Sequence, residues 1–139
     1  MYLKQGDLFW DMTKDFVKEA MGAAIKLQQE TGQTLFNEGD AADHFFIMLK
    51  GRVKLSVGEG GRVVYISRNA GEIIGWSSII GRSTYSATAE CTEETNLLKF
   101  ESQAFLSLLG KNADNEAILF KRLAEMLGNR ILELYPSIA

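Results

Sequence analysis

The stretch GEIIGWSSIIGRSTYSATAE, Gly71 to Glu90, decides the fold. Its apolar opening, Glu72 to Gly75, reads as a short strand. Trp76-Ser77-Ser78 then reads as one turn of helix beginning at Gly75, and Gly81-Arg82-Ser83 as a tight turn. Thr84 to Cys91 alternates Tyr85, Ala87, Ala89 and Cys91 against Thr84, Ser86, Thr88 and Glu90, the period of a strand. Strand, single helical turn and strand place free backbone N–H groups at Gly75 to Ser78, where an anion finds a cradle.

Upstream, the pattern is of short strands broken by glycine. Gln33 to Phe36 is a candidate strand, followed by the turn Asn37-Glu38-Gly39-Asp40. His44 to Lys50 is nearly all apolar, as in a strand buried on both faces. Arg52 to Val57 alternates, with Val53, Leu55 and Val57 on one side, and Gly58-Glu59-Gly60-Gly61 turns the chain into a return strand, Arg62 to Arg68. Further upstream, Phe9, Met12, Phe16, Ala20, Ala23 and Leu27 recur at helical spacing, so Met1 to Glu30 reads as helix, capped at Asp11 or Thr13 and closed by Gly32.

Downstream, Asn96 to Phe100 completes the strands. Ser102 then caps a helix through Leu109, and Asn112 or Asp114 opens a longer one to Leu134, ahead of Pro136. Phe120, Leu123, Leu127, Ile131 and Leu134 form its stripe. The stripe is wide enough to pack on the barrel and on a second helix, so a dimer seam is expected beside core packing. The resulting fold class is mainly β with flanking helices. It is a single domain over 1–139: an N-terminal helical part (1–32), a jelly-roll barrel, or double-stranded β-helix (33–100), and two C-terminal helices (102–135).

Composition narrows the functions. The chain has 139 residues, 46% of them hydrophobic, enough for one cored domain. A net charge of −3 argues against nucleic acid as the main partner. One histidine, His44, and one cysteine, Cys91, leave no zinc set and no convergent nucleophile–base pair, so neither an enzyme nor a cofactor protein is expected. Glu38, Asp40, Asp43 and His44 gather near one turn but fall short of a calcium site in oxygen ligands. Cys91 shares the inward face with Tyr85 and Ala87, so an inert thiol is expected. A lone cysteine and the lack of a spanning or signal segment point to the cytoplasm, with no membrane partner.

The ordered series resembles the cyclic nucleotide-binding domain. QTLFNEGDAADHFFIMLKGRVKLSV, Gln33 to Val57, is similar to that family's opening strands with their Glu-Gly-Asp turn, and GGRVVYISRNAGEIIG, Gly60 to Gly75, to its return strand and the entry to the phosphate cassette. The resemblance covers nearly the whole chain and extends to the regulatory half of the catabolite activator family. Those regulators carry a helix-turn-helix after the long helix, whereas this sequence stops at Ala139, so direct DNA binding is not expected.

The resemblance implies a nucleotide-like ligand but departs where the family binds it. The family's cassette reads Phe-Gly-Glu, a short helix, then an arginine before Ala or Ser. Its glutamate accepts from the ribose 2′-hydroxyl and its arginine pairs with the cyclic phosphate. Here Gly75 takes the glycine position, Trp76 the glutamate's, Tyr85 the arginine's, and Ser86 keeps a hydroxyl beside the phosphate position. Tryptophan offers only a donor, and tyrosine carries no charge near neutral pH. Each lost charged hydrogen bond forfeits roughly 1.5–3 kcal/mol, about ten- to a hundred-fold in affinity, so cyclic AMP held in the usual way is not expected.

Arg82 either swings over the cradle to supply the charge or is a solvated turn residue. Trp76 and Tyr85 either stack on a planar ligand or fill the nucleotide cavity with protein. The candidate ligand set is therefore Gly75, Trp76, Ser77, Ser78, Arg82, Tyr85 and Ser86, in a sensor domain or, with the pocket filled, a dimerisation or docking module.

Overall fold

The computed structural model describes residues 8–138, without the side chain of residue 137. The helix expected over 1–7 lies outside the described residues.

Eight strands form two four-stranded antiparallel sheets. One contains β1 (Ile25–Gln29), β8 (Thr95–Glu101), β3 (His44–Lys50) and β6 (Ile73–Ile74), in that order; the other contains β2 (Thr34–Phe36), β7 (Thr88–Cys91), β4 (Val53–Val57) and β5 (Arg62–Ser67). Helix α1 (Lys14–Ala23) precedes them; α2 (Ser102–Leu109) and α3 (Ala113–Ile138) follow. This is the jelly-roll barrel with flanking helices that the strand pattern implies.

The all-apolar strand β3 explains the two cores. Phe45 and Ile47 point to the helices, where they join Phe9, Phe16, Phe100, Phe105, Leu119 and Leu123. Phe46 and Met48 point into the barrel, with Phe36, Leu55, Ile74, Tyr85, Cys91 and Leu97. Phe45 stacks on its cross-strand neighbour Phe100 at 4.8 Å between centroids and meets Phe105 edge-on at 4.9 Å. Each fully buried phenylalanine contributes about 1.5–3 kcal/mol, so this aromatic cluster fastens the helices to the barrel.

Four boundaries differ from the sequence expectation. The N-terminal helix ends at Ala23 rather than at Gly32, and Ile25–Gln29 is a strand, with Leu27 opposite Leu97 of β8. The apolar spacing that looked helical continues by chance into a segment whose partner lies far along the chain. The expected strand from Thr84 forms only from Thr88, because residues 83–85 bond instead to the turn before β3: Ala42 N–H to the Ser83 carbonyl at 2.9 Å and Tyr85 N–H to the Asp40 carbonyl at 3.0 Å. Helix α2 is capped by Glu101, whose carboxylate accepts from the Gln103 and Ala104 amides at 3.3 and 2.6 Å; Ser102 is its first helical residue. Helix α3 runs past Leu134 and through Pro136, which sits in its last turn.

Candidate functional site

Strand β6 is two residues long and lies against β3, Phe46 opposite Ile74 and Ile47 opposite Ile73. At Gly75 the chain turns away with φ of 87°, a left-handed conformation open to glycine, and a Cβ there would stand 3.0 Å from the His44 carbonyl. One 3-10 turn, Trp76–Ser78, follows.

Because β6 ends at Ile74, the next rung on that side of β3, the backbone of His44, has no strand beside it. Tyr85 fills the rung. Its hydroxyl donates to the His44 carbonyl at 2.5 Å and accepts from the His44 N–H at 3.1 Å. Its ring stacks on Phe36, 3.7 Å between centroids and 13° from parallel. Burial pushes the Tyr85 phenol up, so it stays neutral. Tyr85 is therefore part of the barrel frame, with its hydroxyl spent.

The two serines of the turn face opposite ways. Ser78 is buried: it donates to the Gly75 carbonyl at 3.0 Å and accepts from Ser102 at 2.5 Å, tying the turn to the start of α2. Its amide is taken by the Gly75 carbonyl as well, at 3.2 Å, so this part of the expected cradle is used within the turn. Ser77 turns the other way, its hydroxyl 3.5 Å from that of Ser86.

Beside this wall lies a cavity of about 410 Å³. Phe36, Leu55, Val57, Val64 and Ala87 form its barrel side; Gly75, Trp76, Ser77, Tyr85 and Ser86 form the cassette side. Helix α3 covers it with Leu127, Arg130, Ile131 and Leu134. Five of the seven sequence-derived ligand residues thus meet at one cavity, and Trp76 and Tyr85 border it without filling it. Ser78 and Arg82 are not among its lining residues; Arg82 is exposed on the turn, and its backbone N–H bonds to the Ser77 carbonyl at 3.1 Å.

Arg130 and Tyr65 are site residues that the sequence reading missed. The Arg130 guanidinium donates to the Ile73 carbonyl at 2.5 Å and lies 4.5 Å from the Tyr65 ring centroid, a cation–π distance. The Tyr65 hydroxyl donates to Glu72, whose carboxylate also accepts from Ser67 Oγ at 3.1 Å and from the Arg68 and Asn69 amides at 2.9 and 2.8 Å. Burial, the Glu72 hydrogen bond and the Glu72 charge push the Tyr65 phenol up to about 12. Burial alone would raise the Glu72 carboxyl, but the hydrogen bonds from Tyr65, Asn69, Arg68 and Ser67 outweigh it and hold the group below its ordinary value. The available signal for Arg130 was its place in the α3 stripe, three residues after Leu127 and just before Ile131, where an apolar residue would complete the period.

Along the expected dimer seam, Leu123 is 3% exposed and belongs to the core, and Leu127 faces the cavity. Phe120, Ile131 and Leu134 are 37%, 53% and 41% exposed. Among the described residues no group of three or more His, Cys, Asp or Glu side chains stands together as a metal site. Glu38 and Asp40 accept instead from the amides of Gly58 and Asn37, both at 2.9 Å. Burial pushes the Cys91 thiol up. No helix of the described residues is long and apolar enough to cross a membrane.

A family model for the cyclic nucleotide-binding domain matches residues 26–112. The chain belongs to that family. Its fold is also that of a cyclic nucleotide-binding domain from Methylobacillus flagellatus, with a TM-score of 0.79 and 24% identity over 94% of this chain and 74% of the other. The catabolite activator protein of Thermus thermophilus superposes with a TM-score of 0.72 and 23% identity, over 94% of this chain and 61% of that one. Among curated proteins, a lysophospholipase of Emericella nidulans is 27% identical over 113 residues, which are 77% of this chain but 7% of that protein. The chain thus spans a small fraction of that enzyme's length. At the two cassette positions singled out from the sequence, Trp76 is an indole lining a cavity and Tyr85 a phenol built into the barrel.

Proposed function

We propose that the chain is a regulatory sensor domain, without enzymatic activity of its own, that binds a small planar or anionic molecule in the cavity beneath α3. The ligand is not cyclic AMP held in the usual mode. The observation that carries this reading is the pairing of an open cavity of about 410 Å³ with a Tyr85 whose hydroxyl is already engaged. That volume lies within the range of small-molecule sites, roughly 300–1,000 Å³. Trp76 supplies a stacking face, and Ser77 and Ser86 supply hydroxyls. Thermal-shift series with cyclic AMP, cyclic GMP and cyclic dinucleotides test it. A bound cyclic AMP whose phosphate sits against Tyr85 and Ser86 in a crystal structure refutes the ligand assignment. A crystal structure with the cavity collapsed refutes the sensor reading itself.

A second reading, that the chain acts as a dimerisation or docking module, draws on the exposed apolar residues of α3: Leu132, Tyr135 and Ile138, together with Ile131 and Leu134 at the rim of the cavity. On this reading two copies associate through α3, and ligand beneath the helix biases their arrangement. The wild-type protein then runs as a dimer on size-exclusion chromatography and Leu134→Asp as a monomer; a monomeric wild type refutes the seam. A cytoplasmic setting accords with the lone, buried Cys91.

A further inference from the structure

We infer that the ligand is an amphiphilic acid, a planar or chain-like apolar body bearing one anionic group, and that Arg130 on α3 holds the charge in place of the cassette. This rests on the ligand reading above and specifies its chemistry.

The cavity itself limits what can bind. Most of its surface is apolar: Phe36, Leu55, Val57 and Val64 on the barrel, Leu127 and Ile131 on the helix. A polyhydroxylated sugar would leave its hydroxyls facing those side chains unpaired, which is costly. The polar exceptions are few. Ser77 and Ser86 have hydroxyls near each other, and Arg130 is the cation in the lining.

Arg130 is positioned to take an anion. Among the described residues no carboxylate forms an ion pair with it. Glu72 and Glu133 line a neighbouring cleft with it; Glu72 keeps its charge there but spends its oxygens on the Tyr65, Ser67, Arg68 and Asn69 donors. The guanidinium spends one bond on the Ile73 carbonyl and lies over Tyr65, which fixes its orientation and leaves further N–H donors. A fixed cation at the edge of an apolar chamber favours a ligand that is greasy at one end and acidic at the other. The cassette cannot compete for that charge: Tyr85 is neutral and engaged, and Arg82 is outside the lining.

Anilinonaphthalene sulfonate, an aromatic anion, and phenyl-naphthylamine, its uncharged counterpart, separate the contributions. Both are titrated by fluorescence into the wild type, Arg130→Met, Arg130→Lys and Val64→Trp, each first checked for a cooperative melt. The expected result is one sulfonate per chain, weakened about ten- to a hundred-fold by Arg130→Met. Arg130→Lys retains most of the affinity, the neutral probe is indifferent to either change, and Val64→Trp displaces both probes by filling the cavity. If Arg130→Met leaves the sulfonate unaffected, the charge assignment fails while the cavity reading stands. If it weakens both probes alike, Arg130 serves only to hold α3, and the inference is overturned. If the wild type binds neither probe, or Val64→Trp binds both unchanged, the cavity reading and this one fall together.

Discussion

Replacing Tyr85 with phenylalanine removes one oxygen and tests whether this residue belongs to the barrel frame. The ring and its stack on Phe36 remain; the bonds at 2.5 and 3.1 Å to the His44 carbonyl and N–H are lost. An unpaired buried polar group costs about 1–3 kcal/mol. His44 is half-buried, so the lower end applies to each group, and the sum is about 2 kcal/mol. Unfolding entropy near 2.1 cal/mol/K per residue converts this, for a chain of this length, to roughly 7 °C in Tm. Thermal unfolding followed by circular dichroism reads the shift. Hydrogen exchange reads its location: the His44 amide should exchange roughly thirtyfold faster if local opening carries the whole cost. A variant that melts within about 1 °C of wild type, with an unchanged His44 amide, refutes the rung and returns Tyr85 to the status of a residue facing the cavity.

Other expectations follow from the same contacts. Phe45→Ala empties the aromatic cluster between β3 and the helices and should cost about 3–5 kcal/mol in urea unfolding, with Phe100 and Phe105 losing their shared partner. Gly75→Ala forces a side chain into a φ of 87° with its Cβ 3.0 Å from the His44 carbonyl, and should cost about 1–3 kcal/mol by the same assay. Folding lowers the Glu72 carboxyl, so the unfolded chain takes up that proton first as the solution is acidified. The contribution of Glu72 to stability is present above the ordinary value of 4.5 and lost as pH falls through the folded-state value. Urea unfolding of wild type and Glu72→Gln between neutral and acid pH should therefore converge at the acid end. Folding raises the Tyr65 phenol to about 12, so its contribution is full below 10.0 and lost as pH rises through 12; Tyr65→Phe should remove that alkaline loss.

How far the sequence could be read depended on where each element's partner lies. Strand β3 was legible because its apolar residues serve two cores at once, and β4–β5 because alternation and a glycine turn are local signals. Strand β1 was not: Ala23 and Leu27 keep helical spacing, and only pairing with β8 makes the segment extended. The cassette stretch gave Gly75, Trp76, Ser77, Tyr85 and Ser86 as neighbours of one space, but not what Tyr85 does there. Its role depends on β6 being two residues long, which leaves His44 open. Arg130 was hidden for the same reason. A stripe shows which residues face inward, not that one inward position overlooks a cavity.

The Tyr85 rung also sets an order on any route from this barrel to one that binds a cyclic phosphate. Suppose a descendant acquires arginine at position 85, as the family resemblance suggests for a cyclic phosphate. Arginine offers no acceptor, so the His44 N–H is abandoned at once, while a phosphate contact gains nothing until the rest of the pocket also fits. The intermediate is less stable and binds no better. A viable lineage must first give the His44 amide another acceptor and only then release position 85, so that route passes through the scaffold before it reaches the pocket.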